Sequence, residues 1–167
     1  MVTTRVAGPA DVEAMAELWV AANHARKAET GLALGPVAGG DAEAEVRKRL
    51  ADPAFAVLAE DDGDLLAMAI FVQARARDGR SPEPVPGLAH VSMVAVRPSR
   101  WGQGLGEVVM VAAQRAAPDR GFPRAQLWTH ETNRRAQRLY ERLGWVASGR
   151  TTTDDNGETI RHYEREL

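Results

Sequence analysis

Trp101-Gly102-Gln103-Gly104-Leu105-Gly106 is the stretch on which the reading of this chain turns. It follows an apolar, strand-like run at 91–96 that ends on Arg97-Pro98. It opens a run in which Leu105, Val108, Val109, Ala112, Ala113 and Ala116 recur at helical spacing. A strand, a glycine-rich turn and a helix together aim main-chain N–H groups and the positive end of a helix dipole at one place, which suits a phosphate. Glycine lets the backbone approach a ligand closely and adopt positive φ. A phosphorylated cofactor is therefore the first expectation. Two common phosphate loops fail on spacing. A G-x-G-x-x-G fingerprint counted from Gly102 puts Glu107 at the third glycine, and no acidic ribose ligand follows at a strand end. A Walker A loop needs Gly-Lys-Ser/Thr, which is absent.

Composition narrows the remaining chemistry. The chain has 167 residues, 44% of them hydrophobic, which predicts one domain over 1–167 with a full-sized core. A net charge of −2 gives no electrostatic case for nucleic acid. No apolar run approaches the ~18–20 residues that span a bilayer. The first residues, Met1-Val2-Thr3-Thr4-Arg5, lack the layout of a secretion signal, so a cytoplasmic location is expected. The chain contains no cysteine, which excludes an acyl-cysteine intermediate and thiolate metal sites. His24, His90, His130 and His162 show no metal-ligand spacing, and no G-x-S-x-G elbow is present, so neither a metal nor a serine triad is expected.

Periodicity and punctuation give the elements around the glycine run. Residues 3–7 read as a strand. Asp11 is placed to cap a helix carrying Val12, Met15, Leu18, Trp19 and Ala22, and helix character weakens across the glycine-rich 29–40. Asp41 caps a second helix with Glu43–Arg47 and Glu45–Arg49 at i,i+4, ending near Asp52-Pro53. Residues 55–60 and 65–74 are strands joined by an Asp-Gly hairpin, and 75–87, with Pro82, Pro84 and Pro86, reads as an exposed loop. The strand at 88–96 and the helix after the glycine run follow, the latter stopping near Pro118. A strand at 125–129 leads to a helix at 134–143 with Ala136, Leu139, Tyr140 and Leu143 on one face and Gly144 as its cap. Strands at 145–153 and 158–167 turn at Asn156-Gly157. The order β-α-α-β-β-β-α-β-α-β-β predicts a mixed α/β fold, a central twisted mixed sheet flanked by helices.

Residues 88–145 resemble the GNAT family of acetyl-CoA-dependent N-acetyltransferases. The family's pattern is a strand ending V-x-P, then Q/R-x-x-G-x-G/A opening a helix, a strand, an Asn, and a helix ending A-x-x-L-Y-x-x-L-G-F. Here these stand as Val96-Arg97-Pro98, the run Trp101 through Gly106, Asn133, and Ala136 through Leu139-Tyr140 to Leu143-Gly144-Trp145. The resemblance implies the GNAT fold and acetyl-CoA as co-substrate. It implies that main-chain N–H groups of Trp101, Gly102, Gln103, Gly104, Leu105 and Gly106 hold the pyrophosphate, and that Val94 and Val96 exchange amide hydrogen bonds with the pantetheine arm. One of those N–H groups would polarise the thioester carbonyl. Asn133 would steady the pantetheine or the helix start.

Tyr140 would protonate the departing thiolate, since a phenol of pKa about 10 can serve a thiol of about 8.5. Some family members use a Glu early in the central strand as base; alignment on that strand puts His90 there, a residue suited to neutral pH. Trp101 departs from the family's Gln/Arg, and Arg97 or Arg100 is placed to take over any side-chain contribution. The basic face Arg134, Arg135 and Arg138 reads as solvated, as does His130.

The resulting expectation is direct transfer of an acetyl group to a primary amine of a small acceptor. A protein N-terminus or lysine as acceptor, and an acetyl-CoA-binding regulatory module without strong turnover, stand as alternatives. Specificity would come from the loops at 29–40 and 75–87, and the C-terminal strands offer an edge for a homodimer.

Overall fold

The structure, a computed structural model, describes residues 1–31, 41–51 and 53–167. Its elements are β1 (Thr3–Val6), α1 (Val12–Thr30), α2 (Ala42–Arg49), β2 (Phe55–Asp61), β3 (Asp64–Arg75), β4 (Pro84–Val96), α3 (Leu105–Ala116), β5 (Arg124–His130), α4 (Arg134–Arg142), β6 (Val146–Thr153) and β7 (Thr159–Glu166). The order is the one the sequence predicts. The seven strands form a mixed sheet, β1-β2-β3-β4-β5-β7-β6. The β4–β5 pair is parallel, while β1–β2, β5–β7 and β6–β7 are antiparallel. By proximity the chain divides into two compact units, Met1–Ile70 with Met93–Ala113, and Phe71–Ser92 with Gln114–Leu167.

In the first unit β1 pairs with β2 from Thr3–Glu60 to Val6–Val57. Arg5 on β1 binds the carboxylates of both Asp11 and Glu60, at 2.6 and 2.7 Å. Asp11 was expected to cap α1. Its carboxylate instead accepts from the Gly8 N–H at 2.7 Å and from Arg5, bracing the 3-10 turn Pro9–Asp11. The Arg5 guanidinium holds the Asp11 carboxyl down at about 2. The hairpin between β2 and β3 turns on Asp62 (φ 50°) and Gly63 (φ 86°), the two positive angles of a tight primed turn.

Helix α1 buries Val12, Met15, Ala16, Leu18 and Ala22. It continues to Thr30, past the weakening expected from 29, and stops where Gly31 turns left-handed (φ 72°) with its N–H on the Lys27 carbonyl. The rest of the specificity loop expected at 29–40 lies outside the described residues, as does Asp52. Helix α2 starts as expected, the Asp41 side chain accepting from Ala44 N–H at 3.1 Å. It packs on α1 through a fully buried Val46; burying such a side chain contributes ~1.5–3 kcal/mol. In α3 the buried stripe is Leu105, Val109, Met110 and Ala113, with Val108 exposed, one step round from the stripe expected.

In the second unit, β4 begins at Pro84, inside the stretch expected to be loop. The Gln73 side-chain amide donates to the carbonyls of Val85 and Leu88, fixing this extended segment. Its prolines precede the Leu88–Arg124 pair at which the ladder with β5 opens, where a missing N–H costs nothing. Strands β5, β7 and β6 lie side by side in that order, β7 between the other two, with β6 exposed along most of its length and irregular between Ala147 and Thr151. The β6–β7 turn is wider than two residues: Asp154 accepts from the N–H groups of both Asn156 and Glu158 at 2.9 Å.

Candidate active site

The turn before α3 has the geometry its glycines suggest. Gly102 and Gly104 have φ of 80° and 79°, and a side chain at either would meet nothing within 4 Å. Glycine is required there by backbone conformation, and the space in front of the turn is open. The Val108 N–H bonds the Gly104 carbonyl at 3.1 Å, so α3 begins at Leu105. The helix therefore supplies no acceptor for the N–H groups of Leu105 and Gly106, which point out of its positive end. Such a turn can hold an anion with main-chain donors alone.

Along β4, Ala89, Val91, Met93 and Ala95 are buried and alternate with half-buried His90, Ser92, Val94 and Val96. Two-residue periodicity places the latter four on one face. Main-chain groups alternate as well. The Arg97 N–H bonds the Leu66 carbonyl of β3 at 2.8 Å, so the N–H groups of Val96 and Val94 lie toward the opposite edge of β4. Within the second unit the parallel ladder to β5 stops at His90–Gln126.

Trp101 fastens the end of this strand to the glycine turn. Its indole N–H donates to the Val96 carbonyl at 2.7 Å, and its main-chain N–H to Pro98 at 3.2 Å. The residue that departs from the family pattern is thus a brace, and it occupies the Val96 carbonyl while leaving the Val96 N–H. Of the two arginines expected near it, Arg97 is held on β3, with Nε and Nη2 on the Leu65 carbonyl at 3.1 and 2.7 Å. Arg100 donates to the Gln103 side chain at 2.7 Å, inside the turn.

On α4, Asn133 caps the helix, its Oδ1 accepting from Ala136 N–H at 3.2 Å. Gln137 is buried where Ala136 was expected. Its amide donates to the carbonyls of His130 and Glu131 at 3.0 and 2.7 Å, tying the turn before the helix to the helix itself. Tyr140 is buried with its ring tilted against Trp145 and Tyr163, at centroid distances of 6.1 and 6.2 Å. Tyr163 donates its hydroxyl to Glu141 at 3.2 Å, and burial together with that carboxylate pushes its pKa up. Trp145 donates to Gln114 at 2.7 Å.

The histidines separate. His90 stands opposite Gln126 in register. His130, expected on the surface, is half-buried at the end of β5 with Nε2 2.8 Å from Asp154. Burial would raise the Asp154 carboxyl, but His130 and the Glu158 and Asn156 N–H groups outweigh it and hold it below its ordinary value. His162 is almost fully buried and was not singled out. Its Nδ1 meets Ser148 Oγ at 2.8 Å, and its Nε2 meets Arg150 at 2.9 Å and Gln126 at 3.1 Å. A guanidinium only donates, so Nε2 accepts from Arg150, Nδ1 carries the proton toward Ser148, and the Gln126 Oε1 beside Nε2 receives no proton from it. Burial, then Arg150, pushes the His162 pKa down. Arg150 also spans to Asp78 at 3.0 Å and lies over the Trp128 ring at 5.4 Å. The two-residue period of a strand does not pick it out either, since His162 and its neighbour Tyr163 are both buried.

Among the described residues no cluster of His, Asp and Glu can hold a metal, and no helix is long and apolar enough to cross a membrane.

This fold and this pair of motifs define an acyl-CoA-handling class, and comparison with known proteins names it. The model described as "Acetyltransferase (GNAT) family" matches residues 12–145, and the chain belongs to that family. A mycothiol acetyltransferase from Thermomonospora curvata is 39% identical over 95 residues, which cover 57% of this chain and 29% of that protein. A second, from Rhodococcus erythropolis, is 34% identical over 116 residues, 66% of this chain and 38% of that one. The chain thus spans about a third of the length of the curated relatives it matches. Among solved structures, the Salmonella typhimurium protein yncA, solved with its cofactor acetyl-CoA, superposes with a TM-score of 0.76 at 22% identity, covering 100% of this chain and 94% of that one. That likeness shows the fold.

Proposed function

We propose that the chain moves an acetyl group from acetyl-CoA directly to a primary amine of a small-molecule acceptor. The observation that carries this is the open glycine turn at the start of α3, with Gly102 and Gly104 both at positive φ and nothing within 4 Å of where their side chains would stand. In this reading the N–H groups from Gly102 to Gly106 bind the pyrophosphate, while that of Trp101, expected to join them, is already on the Pro98 carbonyl. The outward N–H groups of Val94 and Val96 pair with the pantetheine arm, and one of them polarises the thioester carbonyl. Because Trp101 already uses the Val96 carbonyl, recognition at Val96 rests on its N–H. Asn133 acts through the start of α4, which it caps.

The acceptor arrives as an ammonium ion, and His90 takes its proton; the amine nitrogen attacks the thioester carbon, the C–S bond breaks, and the second proton that the nitrogen sheds restores the Tyr140 phenol through solvent. Tyr140 gives its phenolic proton to the leaving sulfur. Its ring is held by Trp145 and Tyr163, which fixes the direction of the hydroxyl. The name of the relatives puts mycothiol-type molecules at the head of the acceptors to try. The test is release of free thiol from acetyl-CoA against a panel of amines, amino acids, aminoglycosides, polyamines and short peptides, alongside thermal melting with acetyl-CoA. A rise in melting temperature with the cofactor and thiol release with at least one amine are expected. Unchanged melting in excess acetyl-CoA defeats the proposal. A melting rise without turnover on any amine favours a regulatory acetyl-CoA-binding module.

A further inference from the structure

Between the Ala147–Tyr163 and Thr151–Arg161 pairs, Ser148, Gly149 and Arg150 of β6 stand opposite His162 alone. This bulge, with Gly149 left-handed (φ 85°), brings two β6 side chains round one buried imidazole, Ser148 at Nδ1 and Arg150 at Nε2. Nε2 has a second neighbour. Arg150 Nη2 stands 2.9 Å from it and Gln126 Oε1 3.1 Å. The first group only donates and the second only accepts, so one imidazole nitrogen satisfies them by turns and never together. With Nε2 bare, Arg150 is bound and the oxygen of the buried Gln126 faces a lone pair, which leaves its desolvation cost standing. With Nε2 protonated, Gln126 is bound and Arg150 is displaced.

Arg150 holds more than the ring. Its Nη1 donates to both carboxylate oxygens of Asp78, at 3.0 and 3.2 Å. Asp78 lies in the turn between β3 and β4, and among the described residues every other hydrogen bond of 76–83 stays within 75–83. Arg77 and Asp78 both take left-handed angles in that turn, φ 54° and 55°, a conformation that is costly for a residue with a side chain. An exposed ion pair contributes little by itself. The turn's tie to the sheet therefore depends on how firmly His162 and the Trp128 ring keep Arg150 in place.

We propose that His162, Gln126, Arg150 and Asp78 form a proton-operated latch on the turn 76–83. A proton arriving from solvent at Nε2 turns that atom from acceptor to donor. Its partner changes from Arg150 to Gln126, Nδ1 keeps its bond to Ser148, and Arg150 leaves together with Asp78, releasing the turn. Charged groups bear on His162 from three elements: Arg150 on β6 opposes the proton, while Glu164 on β7 and Asp78 in the turn favour it. The neighbours on β5, Gln126 and Trp128, are uncharged. Burial weighs more than any of these charges and keeps the pKa below its ordinary value, so the latch is shut at neutral pH and opens on the acid side. No ligand enters this inference, and it stands or falls apart from the transferase reading.

An NMR titration of the 15N-labelled chain from about pH 7 to about pH 4 tests the latch. The His162 ring signals and the Gly79 amide should move with one shared midpoint below 6.5. In His162→Gln the Gly79 step should vanish, and in Asp78→Asn the Gly79 signal should already sit at its acid position at neutral pH. Gln126→Met keeps the size of the side chain and removes the acceptor. It should move the midpoint down by about one pH unit, the scale of a hydrogen bond lost by the charged form. A His162 that titrates while Gly79 stays still overturns the latch, as does a Gly79 step that survives in His162→Gln. A His162 that stays neutral throughout, or a midpoint that Gln126→Met leaves unmoved or raises, overturns the exchange of partners. The first two variants decide the latch even where Gln126→Met does not fold.

Discussion

Gly104, in the turn that opens α3, and Gly144, in the turn that closes α4, have nearly the same backbone angle, φ 79° and 82°. Their surroundings are opposite. A side chain at Gly104 would meet nothing within 4 Å, whereas one at Gly144 would strike the Arg165 guanidinium, which lies over the end of α4. That position suits a cation, since a helix C-terminus carries partial negative charge. The chain fills the second turn with its own atoms and leaves the first open. One family motif thus presents exposed backbone, and the other packs its side chains together around Tyr140.

The largest expected effect tests the Tyr140 hydroxyl. Tyr140→Phe removes one oxygen from a ring that keeps its neighbours Trp145 and Tyr163. Turnover should fall about 10²-fold or more, in the range set by losing a general acid, while melting and the cofactor response stay close to the parent's. Steady-state rates with a saturating amine measure it, and full turnover removes Tyr140 from the chemistry.

Gly104→Asp attacks the open turn. It forces a side chain into positive φ and puts a carboxylate where two phosphate charges are proposed to sit. Acetyl-CoA affinity should drop about 100-fold, the scale of two to three kcal/mol of lost donors and added repulsion. Gly104→Ala carries only the backbone cost, about 1 kcal/mol of stability. If Gly104→Asp keeps the parent's melting rise with acetyl-CoA, the open turn is not the diphosphate site.

Gly144→Ala should behave differently from Gly104→Ala despite the shared angle. It adds displacement of Arg165 to the same backbone strain, so about 2 kcal/mol of stability is expected to go, or about 4–8 °C for a chain this size. Cofactor affinity should be unchanged. Equal melting losses in the two alanine variants would erase the contrast between the turns.

The sequence announced these two regions unequally, for physical reasons. The glycine run was legible because Gly102 and Gly104 report backbone angles directly, and the proposed diphosphate site rests on those angles. Asn133 came with the family pattern, which left it on the pantetheine or at the helix start; the Ala136 N–H on its Oδ1 shows the second. The element order followed from periodicity, but its details slipped where two signals competed. Pro84 and Pro86 read as loop, although β4 there runs ahead of its pairing with β5 and no N–H is needed. In α3 the apolar residues extend around more than half the helix, so spacing alone could not choose Met110 over Val108. Gln137 and His162 were passed over because a buried, satisfied polar side chain leaves the same letter in the sequence as a solvated one. Only the carbonyls of His130 and Glu131, and the Ser148–Arg150–Gln126 surround, reveal what they do.

His162 gives the smallest effect, and it tests whether the packed side of the contrast is also closed to protons. Burial and Arg150 hold its native pKa below the ordinary value of 6.5. The unfolded chain therefore takes up this proton first as pH falls, and native stability declines below about pH 6.5. Protonating Nε2 would also set it against the Arg150 N–H that it accepts at 2.9 Å. Between pH 7 and pH 5 the parent's melting temperature should fall by a few degrees more than that of His162→Gln, which keeps a polar side chain and cannot titrate. Asp11, with its carboxyl near 2, stays ionised across that window and does not confuse the comparison. Parallel melting curves for parent and variant would mean that this strand pair admits a proton as readily as the solvent does, and the closed region would be closed only to side chains.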